Sequence, residues 1–366
     1  MTDSKKQSSL FLLACTLFAL TWSNSPWSQS YEAVWNFQAI GLSLRQWLNE
    51  GGMTLFFFLV GLELKRELLW GELSTAKKAI LPVFGALGGM LIPGLIYSLF
   101  NWGSPAGAGW GIPMATDIAF ALGALAFFGR SLPASLRVFL TALAVLDDLG
   151  SILLIAFFYS RHTSILALGA ATLVLFFIWT LQRKKADPSL TYLILCFALW
   201  LALDRAGVQP TLTGVIAALG LSTESFKVKK LEKTIEPWVT WAIVPLFAMA
   251  NAGISITSGH TLSLNHPVCL GVLFGLALGK PIGILASTSL SVRTGLGHFP
   301  REITWRQLTG VACLGGIGFT VSLFVSQLTF PEGTLLAEAK LGILLASLLA
   351  CTLGWILLRD RKKLLI

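Results

Sequence analysis

Leu143-Ala144-Val145-Leu146-Asp147-Asp148-Leu149-Gly150-Ser151-Ile152-Leu153 places two adjacent carboxylates inside an apolar run. The run extends over about 134–159. At 1.5 Å per residue that is enough helix to cross the hydrocarbon of a bilayer. An acid facing lipid costs several kcal/mol, so these two must face protein or a water-filled cavity, and they mark a function. Neighbouring helix positions point about 100° apart. One carboxylate can therefore face a cavity while the other meets a partner on another helix.

Outward from this segment, apolar stretches of similar length recur along the chain. Of its 366 residues, 55% are hydrophobic and 12% charged. Soluble domains carry roughly 25% charged residues. The expectation is one transmembrane transporter domain over 1–366, all-α and polytopic. Its spans fall near 9–22, 52–69, 79–100, 108–129, 134–159, 164–182, 190–204, 207–222, 237–256, 267–290, 307–329 and 337–358, about 12 transmembrane helices in all. Between the first two, residues of about 24–49 form an outer loop in which Tyr31–Trp35 and Leu42–Arg45 are predicted to pair as a hairpin. Lys5, Lys6, the short run 9–22 and Ser23-Asn24-Ser25-Pro26 also fit a signal peptide, but the charge pattern requires a retained helix.

The net charge of +9 is a topology signal and no sign of nucleic-acid binding. With both termini cytoplasmic, the basic residues cluster on one side. They include Lys5, Lys6, Lys65, Arg66, Lys77, Lys78, Arg130, Arg137, Arg183, Lys184, Lys185, Lys227, Lys229, Lys230, Lys233, Arg293, Arg301, Arg306, Arg359, Arg361, Lys362 and Lys363. The outer segments hold Arg45, Arg161, Arg205 and Lys340. Such a bias fixes orientation. Cys15, Cys196, Cys269, Cys313 and Cys351 form no CxxC pair and serve as small apolar residues. His162, His260, His266 and His298 show no metal-ligand spacing. No cofactor is expected.

Asp117 and Lys280 join Asp147 and Asp148 as charges near the middle of a span. Burial penalises the charged form of a carboxylate, and a second carboxylate adds to the penalty. Such a site can trade a proton near neutral pH. Hard cations such as Na⁺ prefer the same oxygen ligands, so one site can hold either ion. The competing role for Asp147 and Lys280 is structural charge balance. Pro113 and the Thr116-Asp117 pair predict an interrupted fourth helix, and Leu314-Gly315-Gly316-Ile317-Gly318-Phe319-Thr320 predicts an interrupted eleventh, or else close packing of small residues. The triplets at about 79–159 and 267–358 would then be inverted repeats, each with its broken helix second of three, as in secondary transporters with midplane sites.

At these residues the sequence resembles the NhaA family of Na⁺/H⁺ antiporters. The resemblance covers most of the chain. It rests on Phe58 to Leu68, Ala115 to Gly123, Leu143 to Gly150, Pro245 to Gly253, Gly279-Lys280-Pro281 and Gly316 to Ser322. It implies an NhaA-like fold and exchange of Na⁺ or Li⁺ for H⁺ across a bacterial inner membrane, electrogenic, for sodium and pH homeostasis. It also implies roles: Asp148 as main ion carrier, Asp147 sharing the ion or pairing with Lys280, and Asp117 offsetting the broken-helix ends with Thr116 beside it. Glu63, Arg66, Glu67, Lys229 and Glu232 match a cluster linked to pH activation, and the outer hairpin is the candidate surface for a homodimer. Gln209 and Glu236 stand where relatives can carry histidine, so the pH set point stays open.

A Na⁺-coupled symporter of an organic solute on the same fold is the alternative. An intramembrane aspartyl protease would need two facing aspartates on separate helices, and the adjacent pair with a midmembrane lysine argues against it. No nucleotide-binding Gly-x-x-x-x-Gly-Lys-Ser/Thr run is present.

Overall fold

The structure, a computed structural model, describes residues 2–128, 132–159, 164–183, 190–221, 226–254, 263–297 and 302–359. Arg130, Arg161, Lys184, Lys185, Arg301, Arg361, Lys362 and Lys363 of the charge pattern lie outside the described residues, as do His162, His260 and His298.

In chain order the helices are α1 (Thr2–Ser23), α2 (Ser28–Trp35), α3 (Leu44–Gln46), α4 (Met53–Leu69), α5 (Ala76–Phe100), α6 (Ile118–Phe128), α7 (Ala134–Phe158), α8 (Ile165–Arg183) and α9 (Leu190–Arg205). They continue with α10 (Leu212–Gly220), α11 (Phe226–Trp238), α12 (Val244–Asn251), α13 (Pro267–Phe274), α14 (Lys280–Arg293), α15 (Trp305–Gly315), α16 (Phe319–Thr329) and α17 (Thr334–Leu358). Strands β1 (Gln38–Ala39) and β2 (Leu42–Ser43) pair antiparallel.

Two compact units divide the chain. One comprises 1–28, 70–151 and 252–366, the other 29–69 and 152–251. In the first, α5 and α14 cross where Gly88 meets Gly283: a Cβ on either glycine would strike the other's carbonyl oxygen. In the second, Phe58, Leu62, Ile178, Tyr192, Leu199 and Ala218 form the core, and the Tyr192 hydroxyl donates to Ala217 O at 2.7 Å.

Many large apolar side chains face outward, among them Leu91, Leu95, Leu99, Phe157, Phe197 and Leu348. In water these would be a liability, whereas against lipid they are the expected surface. By length and composition α5, α7, the run Pro267–Arg293 and α17 can each cross a membrane, and three bent pairs raise the number to seven among the described residues. The hydropathy count of about twelve was higher. Shortness is the reason: α4 has 17 residues, α9 16, α10 9 and α12 8. Turns of π-helix lie next to α4 (Trp47–Gly52) and α12 (Val239–Ile243), so continuous apolar sequence becomes several shorter elements.

Two local expectations are corrected. Tyr31–Trp35 is helical rather than a hairpin strand. Tyr31 and Trp35 stand four apart on one face of α2, both buried, with ring centroids 6.4 Å apart, whereas a strand's rise of about 3.3 Å per residue would set them about 13 Å apart. The hairpin is Gln38–Ala39 with Leu42–Ser43. Its two-residue turn holds Ile40 at φ 54° and Gly41 at φ 82°, the positive angles that a tight hairpin demands. The first half of the expected fourth span is a 3₁₀ segment, Pro105–Met114. Two prolines and three glycines in ten residues suit it poorly for a regular α-helix.

The Gly88–Gly283 crossing gives a direct check. Gly283→Ala should lower stability by about 1–3 kcal/mol, as expected of overpacking. Gly169→Ala, where a Cβ meets nothing within 4 Å, should leave it unchanged or raise it slightly. Thermal unfolding in detergent measures both.

Candidate functional site

Two non-helical stretches in the first unit form the site's frame. Residues 115–117 separate the 3₁₀ segment from α6, with a bend of 44°. Residues 316–318 separate α15 from α16, with a bend of 40°. The stretches touch through their backbones, Asp117 N donating to Ile317 O at 2.7 Å. Gly316 permits a second close approach, since a Cβ there would lie 2.5 Å from Leu276 O.

Breaking two helices creates four bare ends, each with a partial charge. The positive ends belong to α6 and α16, and Asp117 answers both. Its Oδ1 accepts from Phe120 N at 2.9 Å in the first turn of α6. Its Oδ2 accepts from Thr320 N at 3.0 Å and the Thr320 hydroxyl at 2.6 Å in the first turn of α16. One carboxylate thus caps two helices, the strong charge-assisted form of a cap.

The negative ends find donors. Lys280 Nζ donates to Met114 O at the end of the 3₁₀ segment. The Ser322 hydroxyl donates to Ile112 O at 2.8 Å, and the Thr116 hydroxyl lies 2.8 Å from Gly315 O, the last residue of α15. Lys280 itself follows a π-helical turn, Gly275–Gly279, and precedes Pro281, which has no N–H to continue the ladder. Gly89 packs beside it against the same helix: a Cβ there would lie 2.9 Å from Ile284 Cγ1 and 3.8 Å from Lys280 Cε.

Asp147 and Asp148 approach this frame from α7. Lys280 Nζ lies 2.9 Å from Asp147 Oδ2, with neither side chain exposed. The same Oδ2 takes a second hydrogen bond from the Thr116 hydroxyl at 2.7 Å. Asp147 Oδ1 is buried and meets no donor among the described residues. Asp148 is 1% exposed, and its charge also acts on Lys280. Gly150, one turn on, packs against the thioether of Met90.

Thr116, Asp117, Asp147, Asp148 and Lys280 therefore share one buried locus. Of the five cytoplasmic-cluster residues, Arg66 and Glu232 form an ion pair within the second unit. Glu63 and Glu67 lie half-buried on α4, and Lys229 is exposed on α11. Thr320 and Ser322 were not singled out from sequence. Their signal was two hydroxyl residues just past a Gly-x-Gly break, where an open helix end needs partners. No group of three His, Cys, Asp or Glu suited to a resident metal occurs among the described residues.

Comparison with known proteins places this geometry in context. A family profile described as Na⁺/H⁺ antiporter 1 matches residues 1–358. A protein named Na(+)/H(+) antiporter NhaA 2 from Pseudomonas syringae is 46% identical over 358 residues, covering 96% of this chain and 91% of that protein. Its namesake from Clostridium beijerinckii is 41% identical, covering 97% and 92%. Na(+)/H(+) antiporter NhaA 1 from Flavobacterium johnsoniae is 42% identical, covering 98% and 95%.

The Lys280–Asp147 pair predicts a pattern of coupling. Lys280→Met or Asp147→Asn alone should cost roughly 3–5 kcal/mol, because each leaves an uncompensated buried charge. The double variant should recover much of the loss. Unfolding of all four proteins in detergent gives the coupling energy.

Proposed function

The chain belongs to the Na⁺/H⁺ antiporter 1 family, and we propose that it exchanges Na⁺ or Li⁺ for H⁺ through Asp148 and Asp147. The observation that carries this reading is the buried Asp147–Lys280 pair with Asp148 beside it, at the crossing of two helix breaks. The protein is a multi-pass membrane protein, and exchange needs no bound cofactor.

The residue roles follow from charge. Asp148 is the principal carrier: ionised it holds the cation, protonated it carries the proton. Asp147 Oδ1 meets no donor among the described residues, so no hydrogen bond seen there is lost when it becomes a cation ligand. Lys280 balances Asp147 when the cation is absent, and its hold weakens when a cation takes its place. Thr116 has one hydroxyl proton and two acceptors in reach, Asp147 Oδ2 and Gly315 O. With Asp147 ionised the proton favours the carboxylate. With Asp147 protonated the acid can donate to Thr116, which then donates to Gly315. Proton occupancy is thereby felt at the end of α15. Asp117 keeps the two opposed helix ends together throughout.

The larger arrangement in this reading is about twelve spans in the bacterial inner membrane, both termini cytoplasmic. The repeats 79–159 and 267–358 are inverted copies, supported by the similar breaks at 115–117 and 316–318. Glu63, Arg66, Glu67, Lys229 and Glu232 tune the response to pH, and the β1–β2 hairpin pairs two copies.

Two measurements test it. Asp148→Asn should abolish Na⁺-induced proton movement in everted vesicles while the protein remains inserted, and exchange near the unaltered rate would remove Asp148 from its role. Exchange that moves net charge should also respond to an imposed potential, at about 2.3 kcal/mol per charge per 100 mV. Proteoliposomes poised with a K⁺ diffusion potential give the answer, and an indifferent rate would contradict electrogenic exchange.

A further inference from the structure

The helix α4 ends in two consecutive basic residues with different partners. Arg66 pairs with Glu232 on α11. Lys65 Nζ donates to two backbone carbonyls, Leu219 O at 2.6 Å and Leu221 O at 2.7 Å. Those carbonyls end α10, where a helix leaves its last four C=O groups without intrahelical partners. A cation there is favoured twice, by the hydrogen bonds and by the negative end of the helix dipole.

The two helices are also packed tightly enough for such a tie to be exact in position. They run in parallel. A Cβ on Gly214 would strike Thr54 O, and one on Gly61 would lie 2.7 Å from Ala218 Cβ and 3.2 Å from Val215 Cα. With nine residues, α10 is short for an isolated helix and depends on its contacts. The glycines let the backbones approach, and Lys65 closes the end.

We infer that Lys65 is a positioning residue which fixes the C-terminal end of α10 on α4, and thereby where α11, beginning at Phe226, lies against α4. The alternative tie is weak. Arg66 and Glu232 have side chains 40% and 18% exposed, and ion pairs reached by solvent contribute roughly 0–1 kcal/mol. Lys65 therefore governs whether Glu232 and Lys229 stay in register with Glu63, Arg66 and Glu67. The consequence for pH response rests on the proposed function above. The tie itself does not.

Hydrogen–deuterium exchange of the full-length protein in detergent tests the tie. In Lys65→Met, peptides covering the last turn of α10 and the first turn of α11 should lose protection by roughly ten-fold, the equivalent of a hydrogen bond to a charged group. Peptides covering Leu143–Gly150 should not change. Lys65→Arg should restore protection, because a guanidinium can serve both carbonyls. Should Lys65→Met fail to insert, Lys65→Gln, which keeps one neutral donor, is measured the same way. The second readout is the pH of half-maximal Na⁺-driven proton movement, which should shift in Lys65→Met and return in Lys65→Arg. Unchanged protection in α10 overturns the proposal. Lost protection with an unmoved pH midpoint also overturns it, since the cap would then stabilise without positioning. Absent exchange in the unaltered protein would instead refute the proposed function, and the protection data would still decide the role of Lys65.

Discussion

The ammonium of Lys280 is fully buried, and its neighbours are arranged around the cost of that burial. Moving a charge from water into a protein interior costs several kcal/mol even after relaxation. Here the charge is answered by Asp147 Oδ2 and by the carbonyl of Met114. The first partner comes from α7. The second exists only because the chain stops being helical at residue 114. A continuous helix would have used that carbonyl itself. The break and the lysine thus depend on one another, and each makes the other affordable.

The same logic extends to Asp117. Two helix N-termini pointing at one place would repel if bare, and the carboxylate turns them into ligands for a single group. The hydroxyls of Thr116 and Ser322 serve carbonyls at the buried ends of α15 and the 3₁₀ segment, and that of Thr320 gives Asp117 a further donor. The outcome is a rigid polar frame inside apolar helices. Asp148 stands beside that frame on α7.

In the second unit the constraint is packing rather than charge. Gly61 and Gly214 bring α4 and α10 into backbone contact, and short helices there gain stability from neighbours they could not find alone. The basic end of α4 then joins α10 through Lys65 and α11 through Arg66. A cluster that in sequence looks like ordinary topology-setting charge has, in space, specific backbone and side-chain partners.

The apolar periodicity and the rarity of charge were enough to establish a helical membrane protein. Asp117, Asp147, Asp148 and Lys280 were legible as a candidate site for the same reason, because lipid makes every unneeded charge expensive, and the structure brings them together, all buried. Pro113, the Gly-Gly-x-Gly run and the family resemblance pointed to where helices would break. The prolines and glycines of Pro105–Met114 argued against a regular α-helix there, but hydropathy alone did not show the helix at Tyr31–Trp35 or the short elements that divide the expected spans. Which oxygen answers which donor was equally beyond it. Thr116 reaches Asp147 across 31 positions and Thr320 reaches Asp117 across 203. Hydropathy depends on single residues and their near neighbours, whereas a hydrogen bond depends on where two distant backbones cross, and only the tertiary structure decides that.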